Sequence, residues 1–148
     1  MEQIFSSLCE ALNGFTVKFI PHSIGSKVTD DIRNMKNGEI CLLENLRFHP
    51  GEEENDPEFS KSLALLGDCF VNDAFSVSHR AHASTAGIAR LMPSFAGPLM
   101  DLELKALSNS LDSPKRPLTA IIGGAKISTK LDLLRNIVKL VDKMSVGG

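Results

Sequence analysis

Tryptophan and tyrosine are both missing from the 148 residues. Without them the chain has little of the broad stacking surface on which single-stranded nucleic acid is held. Cysteine is scarce and odd in number: Cys9, Cys41 and Cys69 are widely spaced, each in or beside an apolar run. That argues against a disulfide framework and lacks the close pairing of a zinc site, so free, buried thiols in a reducing cytosol are expected. No long hydrophobic run is present, and Met1-Glu2-Gln3 carries no basic region. Neither a membrane-spanning helix nor a signal peptide is expected. A surplus of one charge is lacking too: 16 Lys and Arg against 18 Asp and Glu leave a formal net charge of -2. Such a balance gives no general attraction to nucleic acid or anionic membrane. What remains, 43% hydrophobic and 23% charged, is the make-up of a globular domain with a proper core.

Helical and strand periods alternate along the chain. Ile4, Phe5, Leu8, Ala11 and Leu12 mark a helix that Asn13-Gly14 stops, and Val17-Lys-Phe-Ile20 reads as a strand ended by Pro21. Val28, Ile32 and Met35 give a second helix face before the turn Lys36-Asn-Gly-Glu39. Ile40-Cys-Leu-Leu43 suits a strand buried on both faces of a parallel sheet. Asp56 reads as an N-cap with Pro57 at the first helical position, Phe59, Leu63 and Leu66 as the buried stripe, and Gly67 as the stop. Asp68 to Asn72 is the next strand, Ala86 to Leu91 a helical continuation, and Leu91-Met-Pro-Ser-Phe-Ala-Gly97 a breaker. Leu99, Met100, Leu102, Leu104, Ala106, Leu107 and Leu111 then make a helix apolar over so wide an arc that cover on more than one side is expected. Ser113-Pro-Lys-Arg-Pro117 is a stiff connector, and Leu118 to Ile122 a buried strand. A helix with Leu131, Leu134, Ile137, Val138 and Val141 follows, and Lys143 to Val146 begins a last strand. The alternation predicts an α/β fold with a doubly wound parallel sheet.

Three places carry candidate chemistry. The first is Asp73-Ala-Phe-Ser-Val-Ser-His-Arg-Ala-His-Ala-Ser-Thr85, where His79, Arg80 and His82 sit among small residues between a strand end and a helix start. Such corners hold anions in α/β proteins; the plainer alternative is a solvated loop with one structural arginine. A metal held by His79 and His82 is disfavoured, because Arg80 stands between them and no third ligand has a convincing position. The second is Arg47, just past a buried strand in Glu44-Asn-Leu-Arg-Phe-His49. Spacing alone favours a surface arginine paired with Glu44, with anion binding as the alternative. The third is Gly123-Gly-Ala-Lys126, after a strand and before a helix. Glycines admit close backbone approach and a helix start favours negative charge, although the spacing is not that of a P-loop. Lys126 and Lys130 are four apart and would face the same ligand if the helix starts near Ile127. The acidic run Gly51-Glu-Glu-Glu-Asn55 could suggest a metal, but adjacent glutamates in a loop point different ways, so it reads as a solvated loop.

Taken together, these segments resemble phosphoglycerate kinase. The resemblance rests on Leu42-Leu-Glu-Asn-Leu-Arg-Phe-His49, Val71-Asn-Asp-Ala-Phe75, His79-Arg-Ala-His-Ala-Ser-Thr85, Gly123-Gly-Ala-Lys-Ile-Ser-Thr-Lys130, and Val141-Asp-Lys143 with Gly147-Gly148, in the family's order and at family-like separations. It implies Rossmann-like, three-layer lobes with parallel sheets. Residues 1–97 would be a partial substrate-binding lobe, 98–117 the connecting helix and linker, and 118–148 the first βαβ of the nucleotide lobe. It also implies a glycolytic phosphotransferase, moving a phosphoryl group reversibly between 1,3-bisphosphoglycerate and ADP to give 3-phosphoglycerate and ATP. Closure of the lobes would align donor and acceptor. By resemblance Arg47 and Arg80 bind substrate, Lys126 stabilises the transferring phosphoryl group, and Lys130 contacts the nucleotide phosphates. Mg2+ would accompany ATP or ADP, with no protein metal site. The partners implied are small molecules, without nucleic acid or membrane, in a monomeric cytoplasmic protein.

Departures from the family pattern are visible. Ser76 replaces a frequent glycine and Thr129 a frequent aspartate. The family's Arg-Val-Asp-Phe-Asn-Val-Pro strand and Ser-His-Leu-Gly-Arg-Pro loop do not occur, nor does its Gly-Gly-Gly-Asp segment. The chain therefore reads as an interior piece, with unpaired strand edges and too few strands in its second lobe to bury a core. Catalysis by this chain alone is not expected; the alternative reading is a non-catalytic, anion-binding or structural remnant of the same fold.

Overall fold

The computed structural model describes residues 1–112, 114–123 and 131–147. Its Cα positions divide into two compact units, Met1–Met100 and Asp101–Gly148.

The first unit opens with α1 (Glu2–Ala11), β1 (Val17–Ile20), α2 (Ser26–Arg33) and β2 (Ile40–Leu43). β1 and β2 pair in parallel, Val17 beside Ile40 and Ile20 beside Leu43. The turn between α2 and β2 works because Gly38 takes φ 82°, a left-handed conformation that costs glycine nothing. All four β2 residues are only half-buried, short of the full burial that their apolar run predicts. After a 3-10 turn (Leu46–Phe48) come α3 (Pro50–Glu53) and α4 (Pro57–Ala64). Asp56 caps α4 as expected, its Oδ1 accepting from Phe59 N at 2.7 Å, with Pro57 at the first turn.

Phe59 and Leu63 of α4 and Ala83 form the core cluster, with Ile24, Leu46, Leu66 and Ile88 packed around it. Burying the two large side chains stabilises the fold by about 1.5–3 kcal/mol each. Ala83 belongs to a π-helical turn (Ala83–Gly87), where the sequence suggests only a loop followed by helix. That turn lies hard against α4. A Cβ built on Gly87 would overlap Ser60 Oγ and stand 2.8 Å from Asn55 Oδ1. Gly87→Ala should therefore cost about 1–3 kcal/mol by overpacking, read as a lower midpoint in chemical denaturation of the full-length protein.

The stretch read as a breaker is in part a strand. β4 (Ser94–Ala96) runs parallel to β3 (Phe70–Asn72), with Phe70 beside Ser94 and Asn72 beside Ala96. β3 is also shorter than the expected run from Asp68. The β1–β2 and β3–β4 ladders are separate two-stranded sheets. An apolar hollow of about 270 Å³ has both Leu43 of β2 and Phe70 of β3 in its lining, together with Leu46, Leu63 and Cys69. The parallel α/β character is as predicted; among the described residues it consists of two-stranded ladders. Cys41 is half-buried, which pushes its thiol pKa up, but Cys69 is exposed, against the expectation that every thiol is buried.

α5 (Pro98–Leu111) follows. Its first turn is capped from a distance: Asp73 Oδ1 accepts from Met100 N at 2.9 Å. Gly97 makes this approach possible, since a Cβ there would meet Asp73 Oδ1 at 2.5 Å. The broad apolar face of α5 is not covered as expected: Leu102, Leu104, Leu107 and Leu111 are all exposed.

In the second unit, β5 (Thr119–Ile122) pairs in parallel with β6 (Lys143–Val146) across α6 (Leu131–Ile137), a single βαβ. α6 ends before Val138 and Val141, which the helical periodicity includes. Asp142 ties the start of β5 in place, accepting from Leu118 N at 2.7 Å and pairing with Arg116 Nη1 at 2.7 Å. The backbone bond first, and Arg116 second, hold its carboxyl below the ordinary carboxylate value. A depressed carboxylate contributes stability above its unfolded pKa, about 4, and loses it as pH falls through the lower folded value. Asp142→Asn should flatten that acid-side loss, read as Tm against pH in the acid range. No helix among the described residues is long and apolar enough to cross a membrane.

Candidate functional site

Arg47 lies in the 3-10 turn that leaves the carboxyl end of β2. Asn45 shapes the turn, its Oδ1 accepting from Arg47 N at 3.0 Å. The guanidinium does not pair with Glu44 as spacing alone suggests. Glu44 instead receives the N-terminal ammonium and, at 2.7 Å, the N–H of Asn45. Those two contacts, the ammonium first, hold the Glu44 carboxyl below its ordinary value. Arg47 turns to α3: Nη1 donates to Glu53 Oε1 at 2.6 Å, and Nε stands 3.6 Å from Glu52 Oε1.

The acidic run is thus not a solvated loop. Pro50 opens α3, and the helix turns Glu52 inward to 1% exposure while the side chain of Glu53 stays 62% exposed. Glu52 accepts from Ser84 N at 2.9 Å on one oxygen and from Ser84 Oγ at 2.6 Å on the other. Burial of a carboxylate is tolerable only with such partners. His82 is buried as well, with Nδ1 3.8 Å from Glu52 Oε1 and no hydrogen-bond partner for that nitrogen among the described residues.

Arg80 sits in the loop between β3 and the π-helical turn and is exposed. Its backbone is fixed although its side chain is open: Thr85 Oγ1 donates to Arg80 O at 2.7 Å and accepts from His82 N at 3.0 Å. His79 is exposed. Within the first unit the structure therefore joins the Arg47 segment to the segment that follows Arg80, through Glu52 and Ser84. The sequence places Glu52 in a solvated loop; the structure buries it in α3. The available signal was Pro50, a first-turn proline with acidic residues behind it, which marks a helix start and puts adjacent glutamates on different faces. A hollow of about 400 Å³ lined by Leu43, Leu46, Arg47, Glu52 and Ser84 opens at the carboxyl end of β2, the sheet end where open α/β folds receive ligands. Lys126 and Lys130 lie outside the described residues. Among the described residues no group of three or more His, Cys, Asp or Glu is placed to hold a metal ion.

The family model for phosphoglycerate kinase matches residues 1–148. A phosphoglycerate kinase of Cereibacter sphaeroides is 54% identical over 145 residues, covering 98% of this chain and 36% of its own length. One from Methylorubrum extorquens is 51% identical over 148 residues, 100% of this chain and 37% of the relative. Among solved structures, the phosphoglycerate kinase from Coxiella burnetii superposes with a TM-score of 0.79 at 42% identity, over 98% of this chain and 36% of that one. The enzyme from Pyrococcus horikoshii OT3 does so at 0.83 and 33% identity, covering 99% and 38%. The chain thus spans little more than a third of the length of the relatives it matches. Similarity of this extent, in sequence and in backbone, makes the chain a member of the phosphoglycerate kinase family.

Proposed function

We propose that this chain is an interior segment of a phosphoglycerate kinase, supplying the later part of the substrate lobe (1–97), the connecting helix and linker (98–117), and the first βαβ of the nucleotide lobe (118–148). The full-length protein transfers a phosphoryl group from 1,3-bisphosphoglycerate to ADP, and back from ATP to 3-phosphoglycerate. The acyl–phosphate bond breaks as a bond forms to the terminal phosphate oxygen of ADP. As a glycolytic enzyme it works in the cytoplasm on small molecules, as a monomer, without nucleic acid or membrane.

Arg47 carries the reading. It stands at a strand end, on a hollow, with a planar fork of donors suited to a phosphate or carboxylate. Arg80, with a fixed backbone and an open side chain, supplies the second cation. Lys126 neutralises charge on the transferring group and Lys130 contacts the nucleotide phosphates, following a strand and glycines as the family pattern requires. Magnesium supplies charge neutralisation on the nucleotide's phosphates. Such a metal arrives on its nucleotide and keeps several waters.

Two features support an incomplete lobe: the apolar hollow with β2 and β3 residues in its lining, and the exposed leucines of α5. The isolated segment is accordingly inactive. A coupled ATP assay tests this: the full-length protein forms ATP from ADP and 1,3-bisphosphoglycerate, and the 148-residue chain alone does not. A full-length protein without that activity, yet folded, would favour the non-catalytic remnant.

A further inference from the structure

Glu52 is 1% exposed, yet it is a carboxylate in an acidic run whose other glutamates face water. Each of its oxygens is committed. Oε2 accepts from Ser84 N at 2.9 Å; Oε1 accepts from Ser84 Oγ at 2.6 Å and also faces Arg47 Nε at 3.6 Å and His82 Nδ1 at 3.8 Å. Ser84 is 32 residues further along the chain. It is followed by Thr85, whose hydroxyl holds the carbonyl of Arg80 at 2.7 Å. One buried charge therefore links the backbone that carries Arg80 to the guanidinium of Arg47. On the other side of that guanidinium, Nη1 meets Glu53, whose side chain is 62% exposed and so easily displaced. Arg47 lines the same hollow as Glu52 and Ser84.

We propose that Glu52 is a positioning residue for substrate binding: its buried carboxylate fixes the orientation of Arg47 and the placement of the Arg80 loop, while Glu53 is only a solvent-exposed partner that a bound anion replaces. This rests on the reading of Arg47 and Arg80 as substrate-binding groups. Glutamine keeps the shape of Glu52 but loses the charge and one of its acceptors, so the two arginine segments lose their common anchor. A purely structural residue would lower stability and disturb both substrates alike; a positioning residue acts on the phosphoglycerate side alone.

The test uses the full-length protein, with steady-state kinetics for both substrates. Glu52→Gln is expected to raise the KM for 3-phosphoglycerate about tenfold or more, the size of a lost hydrogen bond to a charged group, with the KM for ATP unchanged. Glu53→Gln is expected to lower the phosphoglycerate KM or leave it as it is. A folded Glu52→Gln protein with an unchanged phosphoglycerate KM, or with both KM values raised equally, overturns the proposal. If Glu52→Gln does not fold, Ser84→Ala decides. It removes only the 2.6 Å bond and should raise the phosphoglycerate KM several-fold; no change overturns the proposal. Arg47→Ala runs in parallel. If it impairs phosphoglycerate binding while the Glu52 and Ser84 variants do not, only the positioning role fails. If it too is silent, the site reading fails with it.

Discussion

In the full-length protein, Lys126→Ala should lower turnover about a hundredfold to a thousandfold and move the KM for phosphoglycerate little. The size is that of removing one preorganised donor from a site where charge develops. Phosphoryl transfer leaves the protein little covalent work, so positioning and neutralisation of the equatorial oxygens carry the acceleration. An interaction made only in the transition state lowers kcat and kcat/KM together, and that equality is what the coupled assay would read. Lys130→Ala, at a group assigned to nucleotide phosphate, should instead raise the KM for ATP. Finding the kcat loss in Lys130→Ala, with Lys126→Ala normal, would exchange their roles.

Arg47→Ala should act on the other substrate. Its fork is replaced by a methyl group, and the KM for 3-phosphoglycerate should rise about tenfold to a hundredfold, as for a lost charge-assisted hydrogen bond. The KM for ATP should not follow. Arg47→Lys should recover only part of the loss, because an ammonium cannot present a planar pair of donors. The substitution also removes a partner of the buried Glu52, so thermal denaturation beside the kinetics separates lost binding from lost stability. Equal KM values for Arg47→Ala and the unmodified protein would remove Arg47 from the site.

Local chemistry made part of this molecule legible. The Asp56 cap with Pro57 behind it needs only neighbouring residues, and it forms as read. β1, β2 and the turn at Gly38 likewise follow from apolar runs and one flexible glycine. The motif blocks carried the family, because several short matches in order specify far more than any one of them.

What stayed hidden depends on distant partners. β4 is three residues long, follows Pro93, and exists only because β3 lies alongside it; locally it reads as a breaker. Glu52, Glu53 and Glu54 look equivalent in sequence, and Ser84, the residue that separates their fates, is far along the chain. The wide apolar arc of α5 is legible in the sequence, but its exposure is not, since cover depends on what else packs there. Lys126 and Lys130, half of the proposed machinery, fall outside the described residues, so their roles rest on the motif around them.

A crystal structure of the full-length protein with 3-phosphoglycerate bound would test the central claim most directly. The account predicts the ligand in the hollow at the carboxyl end of β2, with donors of Arg47 and Arg80 within about 3 Å of its anionic oxygens and Glu53 released from Arg47. A phosphoglycerate bound elsewhere, with both guanidinium groups still facing protein or solvent, would contradict it.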